Sequence, residues 1–148
     1  MAAAVSDEAW LAAMLEVEAT LAAAEAAVGL IPEEAARAIA EAVDVSGFDV
    51  GRLGEEATAS GSPVLPLVRA LTAAVPDHAA PFVHWGATSQ DVLDTAMMLV
   101  ARRGLDRVLA DIDALADACA ALAERHRGTI MAGRTGGDRK RRADQGDP

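Results

Sequence analysis

One long helical pattern limits how this chain can fold more than any other feature of its sequence. It runs from Ser89 to Arg127 without a proline, and its apolar residues recur at alternating spacings of three and four. That spacing is typical of the seam along which helices pack in a bundle. At 1.5 Å per residue the helix would extend about 58 Å, so shorter helices cannot cover it fully. We expect an apolar stripe that stays exposed unless other helices or subunits bury it. The seam comprises Leu105, Val108, Ile112, Leu115, Cys119 and Leu122.

The composition favours helices throughout. Hydrophobic residues make up 52% of the 148 residues, mostly alanine and leucine, and there is no tyrosine. Because alanine and leucine are strong helix formers, we predict an all-α fold. A chain of this length corresponds to roughly one domain. Before the long helix the apolar periodicity and the turn residues predict four shorter helices, over residues 6–28, 32–43, 50–59 and 63–74.

The ends and faces of these helices can be assigned from individual residues. Ser6 is suited to cap the first helix at its N-terminus, and Gly29 to end it. In the fourth helix the inward-facing residues would be Val64, Leu67, Val68 and Leu71. In the first helix the apolar stripe would be Trp10, Met14, Val17, Leu21 and Ala24, and early in the long helix it would be Leu93, Met97 and Val100.

Charge and cysteine usage exclude several classes of function. A net charge of −10 argues against a nucleic-acid partner. No charge-free apolar stretch is long enough to span a membrane, and the N-terminus lacks the pattern of a signal peptide, so we expect a cytoplasmic protein without membrane partners. The lone Cys119 excludes a disulfide scaffold and is expected to be a buried reduced thiol. Residues 134–148 hold five basic and three acidic residues and almost nothing apolar, which predicts a disordered tail.

The strongest candidate for a binding site is the loop-to-helix junction around Thr88 and Ser89. Gly86 frees the backbone there, and two hydroxyls follow where unpaired N–H groups and the positive end of the helix dipole could receive a carboxylate or phosphate. From the residues alone, the commoner interpretation is a simple N-cap, with His84 as an ordinary loop residue. Ser62, at another helix start, is also an N-cap by itself. The sequence does not show whether the two helix starts converge.

Metal and cofactor motifs are missing from the sequence. It holds no cysteine pair, no paired histidines and no acidic cluster with metal-site spacing, and no glycine-rich phosphate loop. We therefore predict neither a metal nor a cofactor. Asp91 and Asp94 lie early in the long helix and are expected to complement its dipole.

Four stretches resemble the fumarase/aspartase superfamily, and within it most closely the cycloisomerases that act on 3-carboxy-cis,cis-muconate. The most specific stretch is His-Trp-Gly-Ala-Thr-Ser-Gln-Asp-Val-Leu-Asp-Thr from His84 to Thr95. The others are Met-Leu-Glu-Val-Glu-Ala from Met14, with the later Gly-Leu-Ile-Pro, then Gly-Ser-Pro-Val-Leu-Pro-Leu-Val from Gly61, and Met-Ala-Gly-Arg-Thr from Met131. The resemblance covers nearly all of residues 5–135. Ser62-Pro63 is similar to the cycloisomerases, whereas adenylosuccinate lyases have histidine and aspartate there.

The resemblance implies a fold, an assembly and a chemistry. It implies an N-terminal helical domain (residues 1–88), the first long helix of a superfamily bundle (89–133) and an unrelated tail (134–148). It further implies a homotetramer, no cofactor and a small carboxylate substrate from the protocatechuate pathway of aromatic catabolism. The substrate's own carboxylate would add across its double bond to close a lactone. The residues implied to bind the substrate are Ser62, His84, Thr88, Ser89, Gln90, Arg134 and Thr135.

The chain departs from the family pattern near Thr135. The family continues there into another long helix and later into a mobile loop whose serine is the catalytic base. Here a glycine-rich, basic segment follows instead, which we interpret as a shifted reading frame. We therefore expect a truncated chain without catalysis of its own and assign it no catalytic residue. The alternatives are an adenylosuccinate-lyase-type enzyme that eliminates fumarate, and a non-catalytic helical association module.

Overall fold

The computed structural model describes residues 2–130, together with the backbone of residues 132–134 and 140–142. It contains five α-helices, which confirms the predicted all-α class: α1 (Asp7–Ala27), α2 (Glu33–Glu41), α3 (Val50–Ser60), α4 (Val64–Ala74) and α5 (Ser89–Arg125). Short 3-10 helices cover Ala2–Val5, Val45–Gly47 and Ala80–Phe82. Two three-residue strands, β1 (Ala132–Arg134) and β2 (Lys140–Arg142), pair antiparallel with Arg134 opposite Lys140.

The chain divides into two compact units, Met1–Arg107 and Val108–Pro148. The division predicted from the sequence, at residues 88 and 133, stays a prediction. Strand β2 lies inside the segment predicted to be disordered, and most of the rest of that segment falls outside the described residues. No helix in the described part of the chain is both long enough and apolar enough to cross a membrane.

Helix α1 begins and ends where its sequence predicts. The Ser6 hydroxyl accepts a hydrogen bond from the backbone N–H of Ala9 at 3.3 Å. At the other end Gly29 adopts a φ of 76°, and the N–H of Leu30 donates to the carbonyl of Glu25 at 2.8 Å. Because a left-handed glycine turns the last carbonyls toward these donors, the helix stops within one residue of the predicted position.

The core of the first unit lies between α1, α2, α4 and the start of α5. The inward face predicted for α4 is confirmed, since Val64, Leu67 and Leu71 are fully buried and Val68 is half-buried. On α1 the prediction was wrong in part, because Ala24 is exposed whereas Leu11 and Leu15 are buried beside Met14. Alanine occupies most remaining positions of α1, so its apolar periodicity is too weak to identify one face. The buried line of α1 continues instead through Glu18, Ala22 and Glu25.

The buried line at the start of α5 also differs from the predicted one. Val92, Ala96, Val100 and Gly104 are buried, whereas Met97 is 42% exposed. Small side chains allow neighbouring backbone to approach closely, and the larger methionine is left at the surface. Val100 is therefore buried as predicted, whereas Val92 and Ala96 take the inward positions predicted for Leu93 and Met97.

The second unit leaves the seam of α5 uncovered. Ile112, Leu115 and Leu122 are between 51% and 63% exposed, which confirms the expected exposed stripe. Cys119 is exposed, so the prediction of a buried thiol was wrong. Cys119 does lie in a helix as predicted. Within the described residues, however, no other helix of this unit covers the face on which it lies.

Candidate carboxylate-binding site

The candidate site begins in the turn between the 3-10 helix Ala80–Phe82 and α5. His84 has a φ of 58°, the single positive φ at a non-glycine residue in the described part of the chain, and Gly86 has a φ of 70°. The left-handed region is uncommon for residues with a Cβ, although histidine adopts it more often than most. Two such residues within three positions reverse the chain sharply before α5 begins.

Thr88 caps α5 through a reciprocal set of hydrogen bonds with Asp91. The backbone N–H and the hydroxyl of Thr88 both donate to Asp91 Oδ2 at 2.9 Å, and the N–H of Asp91 lies 3.4 Å from Thr88 Oγ1. This is a capping box with aspartate in the position usually held by glutamate. Asp91 was expected to complement the helix dipole, and the structure shows that its carboxylate does so while accepting two hydrogen bonds from Thr88. The Thr88 hydroxyl is engaged in the cap rather than open to a ligand.

The neighbouring polar residues differ in what remains available for a ligand. Gln90 donates from its side-chain amide to Asp94 Oδ1 at 2.6 Å, so Asp94 holds the Gln90 side chain against the helix. Ser89, at the first position of α5, is half-buried, and its hydroxyl has no hydrogen bond to any described residue. Of the hydroxyls and amides predicted at this helix start, Ser89 is therefore the one left available to an anion.

A buried carboxylate contacts the site from α1. Glu18 Oε1 lies 2.7 Å from His84 Nδ1, and the two side chains are 1% and 17% exposed. Glu25 follows two turns later and is 7% exposed, and the Cβ position of Gly86 would lie 3.6 Å from its Oε1. The Oε2 atoms of both glutamates are buried and have no hydrogen-bond partner among the described residues.

The surroundings raise the pKa values of the two buried glutamates and lower the pKa of Asp91. Burial raises the pKa of Glu18, and the hydrogen bond and charge of His84 oppose that rise. Burial also raises the pKa of Glu25, with a further rise from the charge of Glu18. The pKa of Asp91 is lowered, chiefly by hydrogen bonds from Thr88 and to a small extent by His84. The turn around His84 is thus linked electrostatically to both α1 and the start of α5.

Ser62 directly precedes Pro63, the N-cap residue of α4, so the prediction that Ser62 itself is the N-cap was wrong by one residue. Its hydroxyl accepts from the N–H of Val64 at 3.3 Å, and its carbonyl accepts from the Ser60 hydroxyl at 2.9 Å. Among the described residues no hydrogen bond joins Ser62 to His84 or Ser89. Its role in binding stays a prediction.

Two other predicted residues cannot be compared with the structure. Thr135 lies outside the described residues, and only the backbone of Arg134 is described, in β1. Within residues 2–130 no group of three or more metal-binding side chains comes together.

Two clefts occur elsewhere in the first unit. One of about 370 Å³ lies between α1, α3 and α4, and one of about 480 Å³ lies between α3 and α4. Neither is lined by a residue predicted to bind substrate. The clefts therefore do not identify the site, which is defined by the hydrogen-bonding groups around α5.

Glu18 and Glu25 were not identified from the sequence, although a signal was present. They lie seven residues apart, on the same helix face as Leu11, Leu15 and Ala22. Acids at apolar positions of an otherwise alanine-rich helix indicate that this face contacts a polar partner. The sequence does not show that the partner is His84, 66 residues away.

Comparison with known proteins is consistent with this geometry. A family model described as "Lyase" matches residues 1–139. The chain belongs to this lyase family, in the fumarase/aspartase superfamily. It is 49% identical to a 3-carboxy-cis,cis-muconate cycloisomerase from Bradyrhizobium diazoefficiens over 91% of this chain and 31% of that protein. It is 50% identical to a nitrosuccinate lyase from Streptomyces davaonensis over 90% of this chain and 29% of that protein.

A solved structure shows the same arrangement of helices. The β-carboxy-cis,cis-muconate cycloisomerase from Acinetobacter calcoaceticus superposes with a TM-score of 0.85 at 38% identity, over 88% of this chain and 32% of that one. The predicted superfamily fold is thereby confirmed. The chain spans about 30% of the length of the relatives it matches.

Proposed function

We propose that this chain carries the carboxylate-binding helix start of an enzyme that acts like the 3-carboxy-cis,cis-muconate cycloisomerases. The observation that carries the proposal is the unpartnered, half-buried Ser89 at the start of α5, five residues after His84, in a chain 49% identical to such a cycloisomerase. Unpaired N–H groups and the helix dipole add positive potential at this point. The ligand class is therefore a small organic carboxylate, of the kind degraded in aromatic catabolism.

The proposed chemistry closes a lactone. One carboxylate oxygen of the substrate bonds to one carbon of its double bond, and the neighbouring carbon takes up a proton. Between these events negative charge develops on a second carboxylate, which becomes an aci-carboxylate. Donors arranged before the reaction stabilise such charge without reorganising. Here those donors would be Ser89, the N–H groups of the first turn of α5, and His84.

The remaining predicted residues have supporting roles in this proposal. Thr88 and Gln90 are held by Asp91 and Asp94, so they would shape the helix start rather than bind the carboxylate alone. For Ser62, Arg134 and Thr135 a role in binding rests on the family resemblance alone. The 148 residues hold no match to the loop that carries the serine base in the family. By themselves we expect them to bind a carboxylate without turning it over.

A second candidate is an elimination reaction. It is favoured by the 50% identity to a nitrosuccinate lyase, and it needs the same stabilised carboxylate at the start of α5. A fumarate-eliminating activity of the adenylosuccinate lyase type is the related alternative. The candidates differ in ligand, because an elimination site would prefer a substituted succinate to 3-carboxy-cis,cis-muconate.

An assembly is part of the proposal. The exposed seam of α5 supports a homo-oligomer built through that helix, a tetramer by family resemblance. A chain that associates through the seam but binds no carboxylate would favour the non-catalytic module. A cytoplasmic location stays a prediction from the sequence.

Ligand titration tests the proposal. The purified ¹⁵N-labelled chain is titrated with 3-carboxy-cis,cis-muconate and separately with succinate, at constant ionic strength, while backbone amide shifts are followed. We expect the largest shifts at residues 89–92, and about tenfold weaker binding in Ser89→Ala, since a hydrogen bond to a charged group contributes about 1.5–3 kcal/mol.

Ser46→Ala is the matched control, because Ser46 lies in a 3-10 turn that belongs to no predicted site. It should bind as the unsubstituted chain does. Preference for succinate would favour the elimination candidate. No shift at the start of α5 with either ligand would contradict the proposal.

A further inference from the structure

The inference starts from two carboxylic acids on the interior face of α1. Glu18 is 1% exposed and Glu25 is 7% exposed, on a helix whose other buried residues are apolar. A buried carboxylate is unfavourable unless it has a partner. Glu18 has one among the described residues, Nδ1 of His84 at 2.7 Å, and its second oxygen has none. The side chain of Glu18 is thus directed to a single nitrogen.

His84 is held in an unusual conformation where it meets Glu18. Its φ of 58° lies in the left-handed region, which a residue with a Cβ adopts only when its surroundings hold it there. Such strain is concentrated at functional sites. The ring is 17% exposed, so part of it remains accessible. Nε2 has no hydrogen-bond partner among the described residues.

The hydrogen bond made by one ring nitrogen decides which nitrogen carries the proton. In water a neutral imidazole side chain carries its proton mainly on Nε2. An ionised carboxylate can only accept, so Glu18 requires the proton on Nδ1. Two further ionisable groups interact with the pair: Glu25 on α1, through the charge of Glu18, and Asp91 on α5, through the charge of His84. The Asp91 carboxylate is bound by Thr88.

We propose that Glu18 is a positioning residue that keeps a proton on Nδ1 of His84, so that in the imidazolium form the second proton is carried by Nε2, which donates a hydrogen bond to the bound carboxylate. The ligand in this statement rests on the proposed function. The pair resembles the carboxylate–histidine pairs that orient metal-bound histidines, in which the carboxylate sets the tautomer and ring angle. Here the group oriented would be a donor or proton carrier at the start of α5.

The tautomer can be measured without any ligand. Ring ¹⁵N shifts of the three histidines are recorded on the full chain at about pH 9, above the ordinary titration range of histidine. We expect a protonated Nδ1 at His84, with His84→Asn assigning the signal. Glu18→Gln keeps an acceptor oxygen and should retain this form. Glu18→Ala should move the proton toward Nε2, and the exposed His78 should not respond. Glu18→Met replaces Glu18→Ala if the latter does not fold.

A ligand titration separates positioning from mere packing. At about pH 6, below the ordinary pKa of histidine, we expect Glu18→Ala to bind 3-carboxy-cis,cis-muconate at least about fivefold more weakly than Glu18→Gln, a difference of about 1 kcal/mol. Two results would overturn this inference alone: an Nδ1 without a proton in the unsubstituted chain, or an unchanged tautomer in Glu18→Ala. So would a shifted tautomer with unchanged affinity, since the pair would then be only structural. Absence of carboxylate binding by the unsubstituted chain would overturn the proposed function and, with it, the ligand assigned here.

Discussion

Helix α1 and the outer part of α5 distribute polar and apolar residues in opposite ways. Helix α1 buries two glutamates on its interior face, whereas α5 beyond Val108 exposes leucine and isoleucine side chains by more than half. Both helices have strong helix formers and an apolar seam. Burial therefore depends on which elements lie against a helix face, and the residue types of that face do not determine it alone.

The difference has a consequence for each region. In α1 one of the buried acids, Glu18, contacts a histidine from a distant segment, so the polar group inside indicates a candidate site. In α5 the apolar groups outside have no partner within the described residues, and exposed apolar patches of this kind mark surfaces that associate. One region thus indicates chemistry and the other indicates assembly.

The largest expected effect comes from truncating a core leucine, which tests whether the core and the seam of α5 differ in burial. Leu67→Ala should lower the free energy of unfolding by about 2–5 kcal/mol, because a fully buried side chain leaves a cavity. Leu115→Ala, at a residue 63% exposed, should change it by less than about 0.5 kcal/mol. Urea unfolding followed by circular dichroism measures both. Equal losses in dilute solution would mean that the seam of α5 is covered after all.

The next effect concerns the seam itself. Ile112→Glu places a charge in the apolar stripe and should weaken self-association by about tenfold or more, which corresponds to about 1.4 kcal/mol. Ala110→Glu adds the same charge to an exposed position off the seam and serves as the control. Sedimentation velocity over a range of concentrations compares them. A monomeric unsubstituted chain, or equal weakening by both substitutions, would contradict association through this face.

The smallest effect is the pH dependence caused by the buried acids. A carboxyl group whose pKa is raised by folding binds its proton more tightly in the folded chain. The contribution of Glu25 to stability is therefore greatest at low pH, and it is lost as the pH rises from the ordinary value of 4.5 through the raised pKa of Glu25. Glu25→Gln should remove this part of the decline and make the folded chain more stable at pH 7.

Glu55→Gln, at an exposed position on α3, is the matched substitution. The measurement is the difference in urea midpoint between each variant and the unsubstituted chain from pH 4.5 to pH 7. Groups with lowered pKa values, such as Asp91, affect all three chains alike and cancel. A Glu25→Gln profile parallel to that of the unsubstituted chain would show that Glu25 ionises as freely in the folded chain as in the unfolded one.

Much of the fold could be predicted because helix ends are local. Ser6, Gly29 and Thr88 lie within a few residues of the hydrogen bonds that end their helices, so their positions in the sequence were sufficient. The faces of α1 and the early part of α5 were harder. In a chain rich in alanine, several faces of one helix are equally apolar, and Leu93 and Met97 could not be distinguished from Val92 and Ala96 by spacing.

The candidate site was predicted in its location but not in its connections. The start of α5 was identified, yet the engagement of Thr88 by Asp91 and of Gln90 by Asp94 required side-chain positions. The contact between Glu18 and His84 joins segments 66 residues apart. No local pattern encodes such a pair.

The order of residues alone was enough for the helical class, the ends of the helices and the superfamily. These depend on propensities, caps and motifs that act over one or two helical turns. Tertiary packing determined which carboxylates are buried, whether Cys119 is exposed to solvent, and which nitrogen of His84 is hydrogen-bonded. The reason is that desolvation depends on every element that surrounds a group, and those elements come together only when the chain folds.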